Sequence, residues 1–94
     1  MLFSVHALDG PDGAAKRQTV HPAHVAHLKT AGDYGVKVVV GGPLVSDDGK
    51  SAIGSLMVLV APDRAAAEKF NKADPFHKSG VWGAVEIRRF DRKE

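Results

Sequence analysis

Four short apolar runs with strand character are split by two helical segments, and the order in which they occur limits the fold of these 94 residues more than any other feature. Leu2 to Leu8 alternates. Phe3, Val5 and Ala7 face one way and Leu2, Ser4, His6 and Leu8 the other, which predicts a strand. Asp9-Gly10-Pro11-Asp12-Gly13 has the residues of a loop, and its continuation through Arg17 reads as a flexible approach to a helix. That helix is predicted from Pro22, whose missing N–H costs nothing at a first helical position, to about Asp33, with Gly35 as its stop. The β-branched run Val36-Lys37-Val38-Val39-Val40 predicts a second strand, ended or bent by Gly41-Gly42-Pro43. Asp48-Gly49, inside Ser46-Asp47-Asp48-Gly49-Lys50, marks a hairpin turn. Ile53 to Ala61, dense in Leu, Met and Val, predicts a central strand. Asp63 caps a second helix whose buried face carries Ala66, Phe70 and Ala73. Asp74-Pro75 ends it, because the residue before a proline disfavours helical angles. After an irregular or single-turn segment from Phe76 to Gly80, Val81 to Phe90 predicts the last strand, with Val81, Gly83, Val85 and Ile87 on one face.

The order β-α-β-β-α-β is the split βαβ arrangement of α+β folds of ferredoxin-like type, an antiparallel sheet with both helices on one face. The length suits a single domain over residues 1–94. A chain of this size buries only about 60–65% of its unfolded surface, so its core is thin. The second face of the sheet also carries apolar residues with nothing in this chain to cover it, which predicts a face-to-face homodimer. The net charge is only +2, and the one basic cluster, Arg88-Arg89 with Arg92-Lys93, reads as a solvated tail because no aromatic platform is interleaved. No nucleic-acid partner is therefore expected. There is no cysteine, so disulfides, thiolate nucleophiles and Cys-based metal sites are excluded, in keeping with a cytoplasmic setting. Met1 to His6 has no basic start and does not read as a signal peptide. No apolar run approaches the ~20 residues of a membrane span, so no membrane partner is expected.

Within the first helix, His24, Leu28 and Ala31 share one face, with Val20 and Gly35 close to the same stripe. This is the face a small domain turns inward, and an imidazole there needs a hydrogen-bond partner. Asp74 is the candidate. A His–Asp pair of this kind serves either as a general base held in one tautomer or as a structural tie between helix and loop. His21, His24 and His27 form an H-x-x-H-x-x-H series, but its ends lie about 120° apart around a helix and no cysteine or carboxylate shares the face, so no metal site is expected. His6 and His77 read as ordinary polar positions. Ser46, after the Gly-Pro bend, is a candidate hydrogen-bond donor to a substrate as well as a turn serine. Phe76 and Trp82 are candidate walls of an aromatic pocket or simple core. Gly41-Gly42 is no nucleotide loop, since no G-x-G-x-x-G opens a helix, and no cofactor is expected.

Several stretches taken together resemble the YciI-like family of small α+β-barrel dimers. They are the Asp9 loop after the opening strand, Lys16-Arg17, Pro22-Ala23-His24-Val25 with Leu28, Gly42-Pro43, Ala73-Asp74-Pro75-Phe76, Ser79-Gly80-Val81-Trp82 and Ile87-Arg88-Arg89-Phe90. The resemblance runs nearly end to end. It implies a ferredoxin-like protomer that pairs sheet to sheet and a cleft in which His24 meets Asp74. One branch of the family resembles dehydrochlorinases of chlorinated hydroxyhydroquinones, and cousins of the same barrel include muconolactone isomerases and cofactor-free monooxygenases. The implied activity is cofactor-free proton transfer on a small aromatic or cyclic acidic substrate, with His24 and Asp74 catalytic and Arg17, Ser46, Phe76 and Trp82 at the substrate. A metabolite-binding dimer without catalysis is the alternative. Where family members often carry Arg just before the helix proline, this chain has His21, so only Arg17 keeps an implied role toward anions.

Overall fold

The computed structural model describes residues 1–94. Strand β1 (Leu2–Asp9) leads to helix α1 (Gly13–Leu28), a single 3-10 turn (Ala31–Tyr34), the hairpin β2 (Lys37–Val45) and β3 (Ala52–Val60), helices α2 (Arg64–Lys72) and α3 (Pro75–Lys78), and strand β4 (Trp82–Phe90). The sheet is antiparallel throughout, in the order β2-β3-β1-β4. The fold is α+β of ferredoxin-like type, as the element order predicts.

The alternation of β1 sets the two faces. Phe3 pairs with Leu59, Val5 with Met57 and Ala7 with Ser55, and all six side chains are buried beneath the helices. Phe70 of α2 and Phe76 of α3 complete this core, with Val20 and Leu28 of α1 packed against it. Full burial of a side chain such as Phe3 or Phe70 stabilises the fold by about 1.5–3 kcal/mol. On the other face, Leu8, Val40, Leu56, Val60 and Phe90 remain exposed.

Three sequence-based boundaries are corrected. Helix α1 begins at Gly13 rather than Pro22, and Lys16 and Arg17 are helical instead of part of a flexible approach. Pro22 lies inside the helix, where it removes the bond to the Gln18 carbonyl. Both residues are on the exposed side of the helix. At the other end, α1 stops at Leu28, and Gly35 caps the 3-10 turn with a left-handed φ of 71°. Strand β2 runs through Gly41-Gly42-Pro43 to Val45, since it is an edge strand and a proline there interrupts no inner ladder. In β4 the register shifts between Leu8 and Asp9: Leu8 pairs with Ala84, but Asp9 pairs with Trp82. Gly83 is the extra residue of this bulge, so Trp82, not Gly83, joins the helix-side face with Val85 and Ile87. In α2 the fully buried positions are Ala67, Phe70 and Asn71, whereas Ala66 and Ala73 are only partly covered.

Candidate active site

His24 is the only buried residue of α1 apart from Gly13. Gly13 allows the start of the helix to approach the residue just before β4, because a Cβ there would stand 2.5 Å from the Val81 carbonyl oxygen. Asp74 is the N-terminal cap of α3 and is completely buried. Its carboxylate accepts from the backbone N–H of Phe76 at 2.9 Å and from His24 Nδ1, which lies 2.8 Å from both oxygens. A carboxylate only accepts, so Nδ1 carries the proton, and the neutral ring presents Nε2 as an acceptor. Nε2 has no partner within the chain. The imidazole also stacks on Phe76, with centroids 4.0 Å apart and planes 5° apart, and meets Trp82 edge-on at 6.1 Å. Three contacts thus fix the ring's orientation.

A cleft of about 480 Å³ opens beside His24 between α1 and the β2–β3 hairpin. Arg17, His21, Ser55, Met57 and Phe76 are among its lining residues. The space exists because Gly41 and Pro43 are the β2 residues paired with Met57 and Ser55 on the helix side, and Gly41 projects no side chain. Even a single Cβ at Gly41 would come within 3.2 Å of Met57 Cγ.

Arg17 lies along the cleft, its guanidinium carbon 4.8 Å from the Phe76 ring centroid. It pairs with Asp9 through two bonds, Nε to Oδ2 at 3.0 Å and Nη2 to Oδ1 at 2.7 Å. Nη2 also donates to the Gly54 carbonyl at 2.9 Å and to Ser55 Oγ at 3.1 Å, while Nη1 is uncommitted. Trp82 Nε1 donates to the same Ser55 oxygen at 3.0 Å.

Of the residues singled out from the sequence, His24, Asp74, Arg17 and Phe76 are brought together. Trp82 does not line the cleft. It is core that buttresses His24, Phe76 and Ser55 from behind, turned inward by the Gly83 bulge. Ser46 stands apart: its hydroxyl donates to Asp48 Oδ1 at 2.6 Å and accepts from the Ser51 N–H, which commits it to the hairpin turn. His27 bonds through Nε2 to the Phe70 carbonyl at 2.8 Å, His21 is exposed at the cleft, His77 is exposed within α3, and His6 is on the open sheet face beside Glu86 and Leu56. Asp9 and Ser55 were missed as site residues. Asp9 reads as a loop residue, and Ser55 interrupts an apolar strand at an inward position, the one visible signal for it.

A family model described as the YCII-related domain matches residues 1–91. The chain belongs to the YCII-related family. This YCII-related domain is 30% identical to the protein YciI of Escherichia coli O6:H1 over 97 residues, which cover 98% of each chain, and equally so to YciI of Shigella flexneri. Its structure is similar to that of 5-chloro-2-hydroxyhydroquinone dehydrochlorinase (TftG) from Burkholderia phenoliruptrix, solved in complex with 2,5-dihydroxybenzoquinone. The TM-score is 0.83 at 29% identity, covering 97% of this chain and 94% of that one. Rv0793 from Mycobacterium tuberculosis, at 13% identity and a TM-score of 0.52 over 99% of this chain and 97% of that one, is alike in fold alone.

Proposed function

We propose that this YCII-related domain is a cofactor-free enzyme that moves protons on a small polyhydroxylated aromatic substrate, with His24 as the base. The observation that carries this reading is the free Nε2 of an imidazole locked through Nδ1 by a buried carboxylate, at the wall of a largely apolar cleft. Asp74 orients the ring and stabilises the imidazolium that forms. The uncommitted Nη1 of Arg17 offers positive charge to a developing oxyanion. Phe76 presents an aromatic ring to the ligand, and Trp82 supports the pair from behind.

Similarity to the dehydrochlorinase favours one reaction within this class, loss of HCl from a chlorinated hydroxyhydroquinone. His24 Nε2 takes a phenolic proton and returns it to the chlorine-bearing carbon, giving the keto tautomer. Nε2 then takes a second phenolic proton while that electron pair moves into the ring and expels chloride. The substrate loses one proton and one chloride, leaving a hydroxyquinone, and no outside oxidant is required. The exposed apolar face of the sheet suits pairing with a second copy, and a cytoplasmic setting fits a chain without cysteine.

Chloride release from a panel of chlorinated hydroquinones and hydroxyhydroquinones tests the reading. Wild type should release chloride, and His24→Asn should be slower by about 10²–10⁴, the usual contribution of a general base. Wild-type rates in folded His24→Asn would sink the assignment of the base. Turnover of a lactone without chloride would replace the reaction by isomerisation.

A further inference from the structure

We infer that His21 is a proton relay, which takes the proton left on His24 Nε2 after each turnover and hands it to bulk water. The inference rests on the function proposed above and adds how the base is reset. Loss of HCl gives chloride, a hydroxyquinone and one proton more on His24 than at the start. That proton must leave before a second substrate can be deprotonated. The Nδ1 side offers no route: the proton there is held by Asp74, which is completely buried and also accepts from the Phe76 N–H. On the Nε2 side the ring, only 8% exposed, faces the cleft that the product occupies.

Twelve residues line the cleft, and of these only Arg17, His21, His24 and Ser55 carry a side-chain N–H or O–H. A guanidinium keeps its protons and accepts none. The Ser55 oxygen already accepts from Arg17 Nη2 and Trp82 Nε1, so both of its acceptor sites are taken. His21 is left, and an imidazole suits the task because it takes up and releases a proton near neutral pH. It stands three residues before His24 on α1, a spacing that makes the two side chains neighbours. Their ring centroids are 6.2 Å apart, a span that one water bridges. The rings of His24 and His27 are held by hydrogen bonds, whereas that of His21 is not. His21 is exposed, and it borders both the cleft and a more open hollow of about 460 Å³ beside it. Arg17 is the one permanently charged side chain that lines either space. An exposed side chain changes rotamer within picoseconds to nanoseconds, so His21 can face His24 and then the hollow many times per turnover. In the step itself, the Nε2–H bond of His24 breaks as an N–H bond forms on His21 through the water. His21 then gives its proton to water or buffer in the hollow.

The test is chloride release from 5-chloro-2-hydroxyhydroquinone by wild type, His21→Ala and His21→Gln, in a dilute buffer too bulky to enter the cleft. His21 is an exposed helix position, and Ala and Gln are both good helix formers, so the fold is kept. Chloride has already left when the proton is handed on, so the substitutions should lower kcat and spare kcat/KM. The expected fall in kcat is at least about tenfold in both variants. It is smaller than the about 10²–10⁴ of a base acting in the transition state, because water remains as a slower acceptor. Rapid quenching should show a burst of chloride followed by slow release. Added imidazole, a small acceptor supplied from solution, should restore kcat in His21→Ala and leave wild type unchanged. Undiminished kcat of both variants in the dilute buffer overturns the relay alone. So does a fall in kcat/KM that imidazole does not restore, which would make His21 a group that binds substrate. Absence of chloride release by wild type overturns the relay together with the reaction it resets.

Discussion

Asp74 shows how one side chain ties a helix start to the candidate site. It caps α3 through the Phe76 N–H and holds His24 Nδ1, so its two oxygens meet two donors in a fully buried place. Asp74→Asn nearly preserves volume but adds an N–H donor that faces donors. The variant should lose about 1.5–3 kcal/mol of stability, as expected where a hydrogen bond to a charged group is broken, measurable by urea unfolding. It should also lower kcat more than it raises KM, because the imidazole is no longer confined to the tautomer with Nε2 free. His24 was legible in the sequence because a histidine on a core stripe is a local signal, whereas the sequence marks Asp74 as the end of α2 and as a candidate partner for His24, not as the cap of α3. Ser55 was not legible as a cleft residue, since Arg17 and Trp82, which donate to it, are distant in the chain and reach it only in the folded state.

Elements decide where the cleft is and what shapes it. Strand β2 leaves room because Gly41 faces inward opposite Met57. Gly41→Val should keep the fold, since valine suits an edge strand and Met57 is flexible, yet it should weaken ligand binding at least about tenfold by filling the space. An undiminished affinity in calorimetry would contradict this account of the cleft. The β2–β3 turn makes a different point. The Ser46 hydroxyl, and after it the Lys50 N–H, hold the exposed Asp48 carboxyl below its ordinary value of 3.8. Because the folded-state value is lowered, this contact favours the fold above that ordinary value and is lost as pH falls through the lower one. Ser46→Ala should raise the Asp48 midpoint in a carbon-detected NMR titration and leave chloride release unchanged. An activity loss in this variant would restore Ser46 to the substrate. Helix α1 shows why element boundaries were harder to read. Pro22 looks like a helix start, yet it lies inside the helix, on the exposed side it shares with Gln18.

At the scale of the molecule, the sheet has one face under the helices and one face bare. Leu8, Val40, Leu56, Val60 and Phe90 are exposed on the bare side, which is no place for a cluster of large apolar side chains in a chain that stays alone in water. Sedimentation equilibrium should find a homodimer, and Leu56→Lys, which sets a charge in the middle of that face, should give a monomer with a lower melting temperature. A wild-type monomer at concentrations of tens of micromolar would refute sheet-to-sheet pairing. No helix is long and apolar enough to cross a membrane. The cleft opens on the helix side of the sheet, so Leu56→Lys separates the contribution of pairing from that of the site itself.

What the sequence determined by itself is what local periodicity and turn chemistry can encode. The element order β-α-β-β-α-β, the inward set Phe3, Val5 and Ala7, the Asp63 cap, and the placement of His24 toward the core all follow from residues a few positions apart. The tertiary structure alone decided the rest. A strand's period of two fails at a bulge, and only pairing with β1 reveals that Gly83 is the extra residue that turns Trp82 inward. The meeting of Asp9, Arg17, Ser55 and Trp82 depends on three strands and a helix converging, a distance relation that no spacing along the chain records.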